Sequence, residues 1–269
     1  MTVVLITGGS SGIGLATVRR LAKDGDQVFY ASRTPATVPL PGHVTYVPLD
    51  LADPSACAAA VQTVLDAAGR LDVLINNAGT AVLAPLEEAD DAEASRTFEV
   101  NTFGPMRLIR AALPAMRAQG AGRIINVTSV NDIAVAPFGG WYSASKSALA
   151  ALSMVLGAEL HGSGIFVTVV APGLFRTGMA EQLPFVRVAD DSRYGAVFDK
   201  LRAESAMELA AAGDPDEVAR AIEGCIAADP PPARIVVGAD GIAMDETIRK
   251  ASAEELAVLL REYVASLTG

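Results

Sequence analysis

The chain has 269 residues, enough to bury a large hydrophobic core within one α/β domain. Hydrophobic residues make up 51% of it and charged residues 19%, which excludes the low-hydrophobicity composition of a disordered chain. The formal net charge of -10 leaves no broad basic surface for the phosphates of DNA or RNA, so we expect no nucleic-acid partner.

The N-terminal segment carries no targeting pattern. It enters an apolar run at Val3 without a positively charged leader, and the run ends after Ile6, too early for the core of a signal peptide. No apolar run approaches the roughly 18 residues of a membrane span. We therefore expect a cytoplasmic protein with no membrane span.

The cysteines and histidines do not form a metal-site pattern. Cys57 and Cys225, the only cysteines, match neither a metal spacing nor a CxxC pair, and two buried free thiols are favoured over a disulfide. His43 precedes the third predicted strand and His161 ends a later helix, so both are interpreted as surface or loop residues. We expect no bound metal.

Short β-branched runs alternate with longer helical stretches along the chain. Near-continuous Val and Ile, as in 166–170, is typical of strands covered on both faces, which indicates a parallel sheet and an α/β fold class. No segment marks a domain boundary, so residues 1–269 are interpreted as one domain. The predicted strands are Val3 to Thr7, Gln27 to Ser32, Val44 to Leu49, Asp72 to Asn76, Arg123 to Ser129, Ile165 to Ala171 and Arg234 to Gly238.

Three other segments have recognisable local patterns. An acidic cluster at 87–93 could hold a cation, but acidic residues also favour the first turn of a helix, and the helical interpretation is preferred. The insertion 174–213 exceeds what a minimal alternating sheet needs and is predicted to cover a site and to contain a helix. In the C-terminal extension 244–269, Ser252 and Glu255 form a capping box ahead of apolar residues at helical spacing. That helix is predicted to pack on the core or on a second subunit.

A glycine-rich turn follows the first predicted strand and opens a predicted helix. Gly8, Gly12 and Gly14 would let a phosphate approach the bare backbone and meet unpaired N–H groups at the helix start. The spacing is Gly-x-x-x-Gly-x-Gly, not the commoner Gly-x-Gly-x-x-Gly fingerprint. A tight turn without a ligand is the alternative.

The residues that follow the second, third and fourth predicted strands indicate which nucleotide the protein would bind. A dinucleotide fold that prefers NAD tends to have an acidic residue after its second strand, whereas this chain has Ser32 and Arg33. A guanidinium suits a 2'-phosphate in charge and geometry, so NADP(H) is favoured, although Arg33 could be a solvated loop residue. Asp50, before Leu51, could contact adenine or cap a turn, and Asn76 to Gly79 follow the fourth strand.

The segment Tyr142 to Lys146 carries an acid/base pair. Residues four apart share a helix face, so the Tyr142 phenol and the Lys146 ammonium can lie side by side over one ligand. Ser129 stands thirteen positions before the tyrosine, at a strand end. A neighbouring ammonium favours the phenolate, and moving its pKa from near 10 to about 7 requires roughly 4 kcal/mol.

Together these residues resemble the short-chain dehydrogenase/reductase superfamily over almost the whole chain. The segment 31–35 and the apolar loop after Pro172 look most like the branch with hydroxysteroid and retinol dehydrogenases and bacterial ketone reductases. The matching residues, in the family's order and spacing, are Gly8 to Gly14, Asp50 and Leu51, Asn76 to Gly79, Asn101, Ser129, Tyr142 with Lys146, and Pro172 and Gly173 followed by Thr177.

The resemblance implies a doubly wound Rossmann-type sheet of seven parallel strands and hydride transfer between a nicotinamide and a carbonyl or alcohol carbon. In that family's scheme Tyr142 is the general acid/base, Ser129 holds the substrate oxygen, Lys146 binds the nicotinamide ribose, and Asn101 anchors a water that leads from Lys146 to solvent. The predicted cofactor-binding set is Gly8, Ser10, Ser11, Gly12, Ile13, Gly14, Ser32, Arg33, Asp50, Leu51, Asn77, Ala78, Gly79, Asn101, Tyr142, Lys146, Pro172, Gly173 and Thr177.

The hypothesis from the sequence is an NADP(H)-dependent oxidoreductase acting on an apolar ketone or secondary alcohol. Val130, Ile133, Phe138, Trp141 and the stretch 175–183 flank the catalytic residues and would line a hydrophobic pocket. An NAD-dependent alcohol dehydrogenase of the same fold and a non-catalytic nucleotide-binding protein are the alternatives. The resemblance also suggests a dimer or tetramer joined through the helix of Tyr142, where Ala144, Ala148, Ala150 and Ala151 would allow close packing.

Overall fold

A computed structural model describes residues 1–177 and 192–268. In these residues seven strands form one parallel sheet with the order β3-β2-β1-β4-β5-β6-β7. The sheet confirms the predicted fold class. The strands are β1 (Val3–Thr7), β2 (Gln27–Ser32), β3 (Val44–Pro48), β4 (Val73–Asn76), β5 (Gly122–Val127), β6 (Ile165–Pro172) and β7 (Arg234–Val237).

The helices lie between the strands and after the last one. They are α1 (Gly12–Lys23), α2 (Pro54–Ala68), α3 (Asp91–Phe98), α4 (Gly104–Gln119), α5 (Gly140–Glu159), α6 (Gly195–Ala210), α7 (Pro215–Ala227), α8 (Ala239–Lys250) and α9 (Ala253–Thr268). A π-helical turn, Glu99–Phe103, joins α3 to α4, and a 3-10 turn, Val130–Asp132, follows β5. None of the helices in the described ranges is both long and apolar enough to cross a membrane.

The helices cover both faces of the sheet, because each strand alternates its side chains between two hydrophobic clusters. On one face Leu5 and Leu74 pack with α2 and α4, and on the other Ile6 and Ile75 pack with α1 and α7. Cys57 and Cys225 are buried, one in each cluster, and both are free thiols. The strand order turns around between β1 and β4, which places a crevice at the carboxyl edge of the sheet.

Part of the acidic cluster 87–93 lies at the start of α3, and the rest accepts hydrogen bonds from residues before α6. Asp90 is the N-cap of α3 and accepts a hydrogen bond from Ala92 N, and the acidic first turn follows it, as predicted. Glu87 and Glu88 lie outside that helix, where Tyr194 and Ser192 donate hydrogen bonds to them. The loop before α3 therefore contacts the residues that lead into α6.

The insertion 174–213 contains α6, as predicted, and residues 178–191, with Met179, Leu183 and Phe185 among them, lie outside the described part. The capping box of α9 is confirmed, because Ser252 N and Oγ both donate to Glu255. The buried contact of α9 is at Leu267, which packs with α6, while the predicted residues Leu259 and Tyr263 are partly exposed. The C-terminal extension comprises two helices, α8 and α9, and not one.

Candidate active site

The glycine-rich turn opens α1 with unused N–H groups. Ser11 is the N-cap, yet it makes no side-chain capping bond, and the first turn of α1 holds no acidic residue. A helix start of this kind carries a partial positive charge and free donors, which suit a phosphate. The turn therefore has room and donors for the pyrophosphate of a dinucleotide, and the cofactor role of Gly8, Ser10, Ser11, Gly12 and Ile13 stays a prediction.

Close backbone packing explains why glycines occur in the turn. A Cβ at Gly14 would lie 2.2 Å from Gly8 O and 2.6 Å from Asn77 Nδ2, and a Cβ at Gly9 would lie 2.5 Å from the Cβ of Tyr30. Gly8 and Gly12 have φ of 70° and 51°, the left-handed region that favours glycine. The turn can only be this tight against β4 and β2 without side chains.

The segment after β4 is fastened to the end of β1. Thr7 Oγ1 accepts hydrogen bonds from Asn77 N and Ala78 N, both at 3.0 Å, and Asn77 Nδ2 donates to Thr7 O at 2.9 Å. The Asn77 amide is thus used within the protein, and its role in cofactor binding stays a prediction. Ala78 and Gly79 remain beside the crevice as partly buried residues.

The end of β2 presents Arg33 to solvent. Among the described residues, Arg33 has no hydrogen bond or ion pair, while Ser32 Oγ donates to Thr34 O at 2.6 Å. An exposed, unpaired guanidinium at this edge is available to a phosphate group. After β3, Asp50 accepts from Ala52 N at 3.0 Å, which is the turn-capping alternative. The side chain of Leu51 lies in the hydrophobic core, so a contact of Leu51 with the cofactor, which stays a prediction, would be made by its backbone.

The residues after β6 close the other side of the crevice. Gly173 N donates to Val237 O at 2.8 Å, and a Cβ at Gly173 would lie 2.5 Å from the Asp240 carboxylate. Thr177 lies against the glycine-rich turn, since a Cβ at Gly12 would be 3.1 Å from Thr177 Cβ. Thr177 and Pro172, at the end of β6, are thus placed near the predicted nucleotide site.

Ser129, Tyr142 and Lys146 come together at the carboxyl end of β5. The Ser129 hydroxyl lies close enough to the Tyr142 phenol to lower its pKa, and Lys146 Nζ lies 5.9 Å from the centre of the Tyr142 ring. Lys146 is buried, and its ammonium donates to Val127 O at 2.9 Å. The structure therefore brings the predicted catalytic residues into one cluster.

Burial is the main influence on the pKa values of Tyr142 and Lys146. It lowers the pKa of Lys146 to about 8, because an ammonium loses solvation there. It also raises the pKa of the Tyr142 phenol, although the neighbouring Ser129 hydroxyl lowers it. Without a bound cofactor, these surroundings therefore favour the neutral phenol.

Asn101 lies in the π-helical turn between α3 and α4. Its amide accepts from Thr80 N at 2.8 Å and donates to Thr80 O at 2.8 Å and to Ser145 Oγ at 3.0 Å. All of these partners are protein atoms, so the side chain braces the loop after β4 against α5. Single π-turns of this type are frequent at functional sites, and the amide holds this one beside the helix of Tyr142.

Two residues that the sequence predicted to line the substrate pocket, Phe175 and Trp141, make contacts elsewhere. Phe175 packs in the core against Gly213 and Gly238, away from the cluster, so it does not line the pocket. The Trp141 ring contacts Phe98 edge to face, with a centroid distance of 6.5 Å, and faces α3. The partly buried Phe138 remains near the site and meets α6.

Phe138, in the loop before α5, packs against Tyr194 and Phe198 at the start of α6. Its φ of 65° is unusual for a bulky residue and costs of order 1–3 kcal/mol. Its ring packs edge to face on Phe198 at 5.2 Å and on Tyr194 at 5.9 Å. The aromatic contacts join the loop before α5 to α6 and to the residue that precedes it.

One charged group near the site was missed by sequence reasoning. Asp132, three residues after Ser129, is buried and accepts a hydrogen bond from Arg234 on β7. Its partner is 102 residues away, so only a charged residue in an otherwise apolar segment signals it in the sequence. Within the described part, no three His, Cys, Asp or Glu side chains group as a metal site.

A comparison with known protein families identifies the family of the chain. A family model described as short chain dehydrogenase matches residues 2–185. The chain therefore belongs to the short-chain dehydrogenase/reductase family of oxidoreductases.

Two relatives illustrate the range of similarity. The chain is 38% identical to 3-ketodihydrosphingosine reductase of Bacteroides thetaiotaomicron over 179 residues, 66% of each protein. It is 32% identical to Oxidoreductase BOA17 of Botryotinia fuckeliana over 246 residues, 88% of this chain and 89% of the relative.

Solved structures show the same fold over the full length. A short-chain dehydrogenase from Streptomyces avermitilis matches with a TM-score of 0.80 and 30% identity, covering 100% of this chain and 97% of that one. One from Burkholderia cenocepacia in complex with NADP matches with a TM-score of 0.76 and 25% identity, covering 96% and 97%. Another similar structure, from Burkholderia phymatum, contains NAD, so the fold accepts either nucleotide.

The lowered pKa of Lys146 predicts a stability that depends on pH. Its pKa is about 8 in the folded protein against an ordinary 10.5, so the buried ammonium destabilises the fold below pH 8. The penalty, up to about 3 kcal/mol, disappears as the pH rises from about 8 to 10.5. We expect Lys146→Met to unfold at higher urea concentration than the wild type at pH 7.

The gain in stability of Lys146→Met over the wild type should be smaller at pH 9.5 than at pH 7. Urea unfolding of both proteins at these two pH values measures the difference. Lys23→Met, which removes an exposed lysine on α1, is the control and should change neither value. A Lys146→Met variant with a constant stability difference at both pH values would contradict the lowered pKa.

Proposed function

We propose that the protein is an NADP(H)-dependent reductase that transfers a hydride between the nicotinamide and an apolar ketone or secondary alcohol. The observation that carries the proposal is the Tyr142 phenol, which lies close to the Ser129 hydroxyl and beside the buried ammonium of Lys146. This acid/base group lies at the same sheet edge as the uncapped start of α1. The chain is proposed to act as one catalytic domain.

The nicotinamide, when bound, supplies the hydride. In the reducing direction negative charge develops on the substrate oxygen, where the hydroxyls of Ser129 and Tyr142 would donate hydrogen bonds. These bonds strengthen as the charge develops, so they stabilise the transition state more than the ground state. Tyr142 then gives its proton to the alkoxide, and the positive charge of Lys146 favours the phenolate left behind.

The substrate class follows from the apolar surroundings. Val130 and Ile133 occupy the turn after Ser129, and Phe138 leads into the aromatic contacts with α6. Such walls suit an apolar body with one polar carbonyl. The name of one relative, 3-ketodihydrosphingosine reductase, specifies reduction of a ketone and supports this choice.

The cofactor preference is tested at Arg33. An exposed arginine without a protein partner at the end of β2 supports NADP(H), and a charge-assisted contact with a phosphate contributes about 1.5–3 kcal/mol. We expect Arg33→Asp to weaken NADPH affinity about 10- to 100-fold and to leave NADH affinity equal or improved. Isothermal titration calorimetry with each nucleotide measures both affinities.

Arg19→Asp is the control, because it makes the same charge change at an exposed position of α1 away from the end of β2. It should alter NADPH affinity little. An unchanged NADPH to NADH ratio in Arg33→Asp would remove this residue from the nucleotide site and favour the NAD-dependent alternative.

The acid/base role is tested by Tyr142→Phe, which removes only the phenolic oxygen. We expect kcat for reduction of acetophenone or ethyl acetoacetate by NADPH to fall about 10²- to 10⁴-fold, because no group is left to protonate the alkoxide. The NADPH affinity should be retained. Tyr263→Phe, a change on the outer part of α9, is the control, and native turnover by Tyr142→Phe would refute the mechanism.

We propose that the protein is a homo-oligomer joined through α5. The outward face of this helix combines exposed Met154, at 70%, and Val155, at 56%, with small residues that include Ala144 and Ala151. An apolar helix face of this length without a partner in the described chain is suited to a second copy of the same helix. Small side chains along it would allow the two helices to approach closely.

The oligomer is tested by Val155→Glu, which puts a charge in the middle of the proposed contact. We expect the wild type to sediment as a dimer or larger species in analytical ultracentrifugation and the variant to dissociate. Val258→Glu on α9, of similar exposure, should leave the assembly intact. A monomeric wild type would contradict the proposal, and dissociation by Val258→Glu alone would move the contact to α9.

A further inference from the structure

A buried carboxylate lies directly behind the turn that carries Ser129. The side chain of Asp132 is 0% exposed and forms an ion pair of 2.9 Å with Arg234 Nη2. Its second oxygen accepts from Thr128 Oγ1 at 2.8 Å, and its carbonyl accepts from Ser147 Oγ at 2.6 Å. These bonds fix Asp132 to the end of β5, to β7 and to α5.

Arg234 extends this attachment to α8. Its second nitrogen, Nη1, donates to Asp245 Oδ1 at 2.7 Å, and Asp245 in turn pairs with Arg249 at 2.7 Å. The fork of one guanidinium therefore bridges two carboxylates on different elements, a geometry that lysine cannot reproduce. The turn after Ser129 is thereby joined to the last strand of the sheet.

Three successive residues at the end of β5 hold the site together. Val127 O accepts from the Lys146 ammonium, Thr128 Oγ1 donates to Asp132, and the Ser129 hydroxyl lies close to the Tyr142 phenol. A shift of the middle residue would move its two neighbours, and with them both catalytic contacts. The bond between Thr128 and Asp132 lies at the centre of this arrangement.

Burying such a carboxylate is costly. An ion pair removed from water rarely stabilises a fold more than apolar packing of the same volume, so stability alone gives weak reason for it. The burial raises the pKa of the Asp132 carboxyl, while the bonds from Thr128 and Arg234 counteract the rise. Its placement against the catalytic turn suggests a role in the reaction.

We propose that Asp132 is a positioning residue which, through its buried ion pair with Arg234, fixes the turn presenting Ser129 and places a negative charge behind Tyr142 and Lys146. The inference rests on the proposed function. The charge opposes ionisation of the phenol and favours the ammonium, since it raises the pKa of both groups. Arg234 reduces that effect by neutralising Asp132, with Asp245 and Arg249 as the outer charges.

The positioning role is tested by comparing Asp132→Ala with Asp132→Asn. Alanine removes both side-chain contacts of Asp132. Asparagine can accept a hydrogen bond from Arg234 and donate one to the Thr128 hydroxyl. That hydroxyl can then donate its own proton to Val170 O, which lies 3.3 Å away. We expect Asp132→Ala to lower kcat for acetophenone about 10- to 100-fold, with KM changed less than about threefold. Asp132→Asn should recover most of kcat.

Asp72→Ala is the matched control. It removes a partly buried, ion-paired carboxylate at the opposite, amino edge of the sheet, where Asp72 accepts from Val3 N. Circular dichroism and NADPH affinity establish that each variant is folded. The proposal is overturned if Asp132→Ala loses no more kcat than Asp72→Ala, or if Asp132→Asn is no better than Asp132→Ala.

A second readout needs neither substrate nor cofactor. The ultraviolet absorbance of phenolate, taken as the difference from the same protein carrying Tyr142→Phe, reports the titration of Tyr142 alone. Asp132→Asn should shift this titration to lower pH and Arg234→Gln to higher pH, because one removes the negative charge and the other removes its neutralising partner. A purely structural role would not give opposite shifts.

The two proposals fail in different ways. If the wild type binds no NADPH and reduces no ketone, the proposed function is wrong, yet the opposite shifts of Tyr142 would still support the placement of Asp132. If the wild type is an active reductase and both variants shift the titration in the same direction or not at all, the placement of the charge is wrong.

Discussion

The site depends on the fastening of β1 to β4 at the point where the strand order turns around. Thr7 accepts two N–H groups from the segment after β4, and the Asn77 amide returns a bond to Thr7. A Cβ at Gly14 would collide with both Gly8 and Asn77, so the bonded strands leave room only for glycine. The same contact that joins the two halves of the sheet therefore forces α1 to begin with a bare backbone, which is what a phosphate requires.

The cluster of Ser129, Tyr142 and Lys146 illustrates a conflict between burial and charge. Burial disfavours the ionised forms of both Tyr142 and Lys146, so the fold holds these groups at a cost in stability. Their geometry is fixed by backbone and hydroxyl contacts at the end of β5 and by the ion pair of Asp132 and Arg234. Because Lys146 is buried, a charge introduced by a bound nucleotide would act on its ammonium with little screening.

Local patterns predicted the fold well because they record local physics. β-Branched runs located all seven strands to within two residues, and Ser252 with Glu255 located the start of α9. Family spacing located Ser129, Tyr142 and Lys146. Tertiary contacts could not be predicted in the same way. An apolar residue such as Phe175 suits a pocket or a core equally. Nothing in the sequence pairs Asp132 with a residue on β7. The pKa of a phenol likewise depends on the depth of burial, which periodicity does not encode.

The central claim is that a nicotinamide dinucleotide binds across the glycine-rich turn with its reactive ring against Tyr142. A fluorescence titration of the purified protein with NADPH, exciting the single tryptophan at 141 beside that tyrosine, tests it most directly. The account predicts saturable quenching of tryptophan emission with sensitised NADPH emission. Absence of saturable binding by either NADPH or NADH would contradict the account.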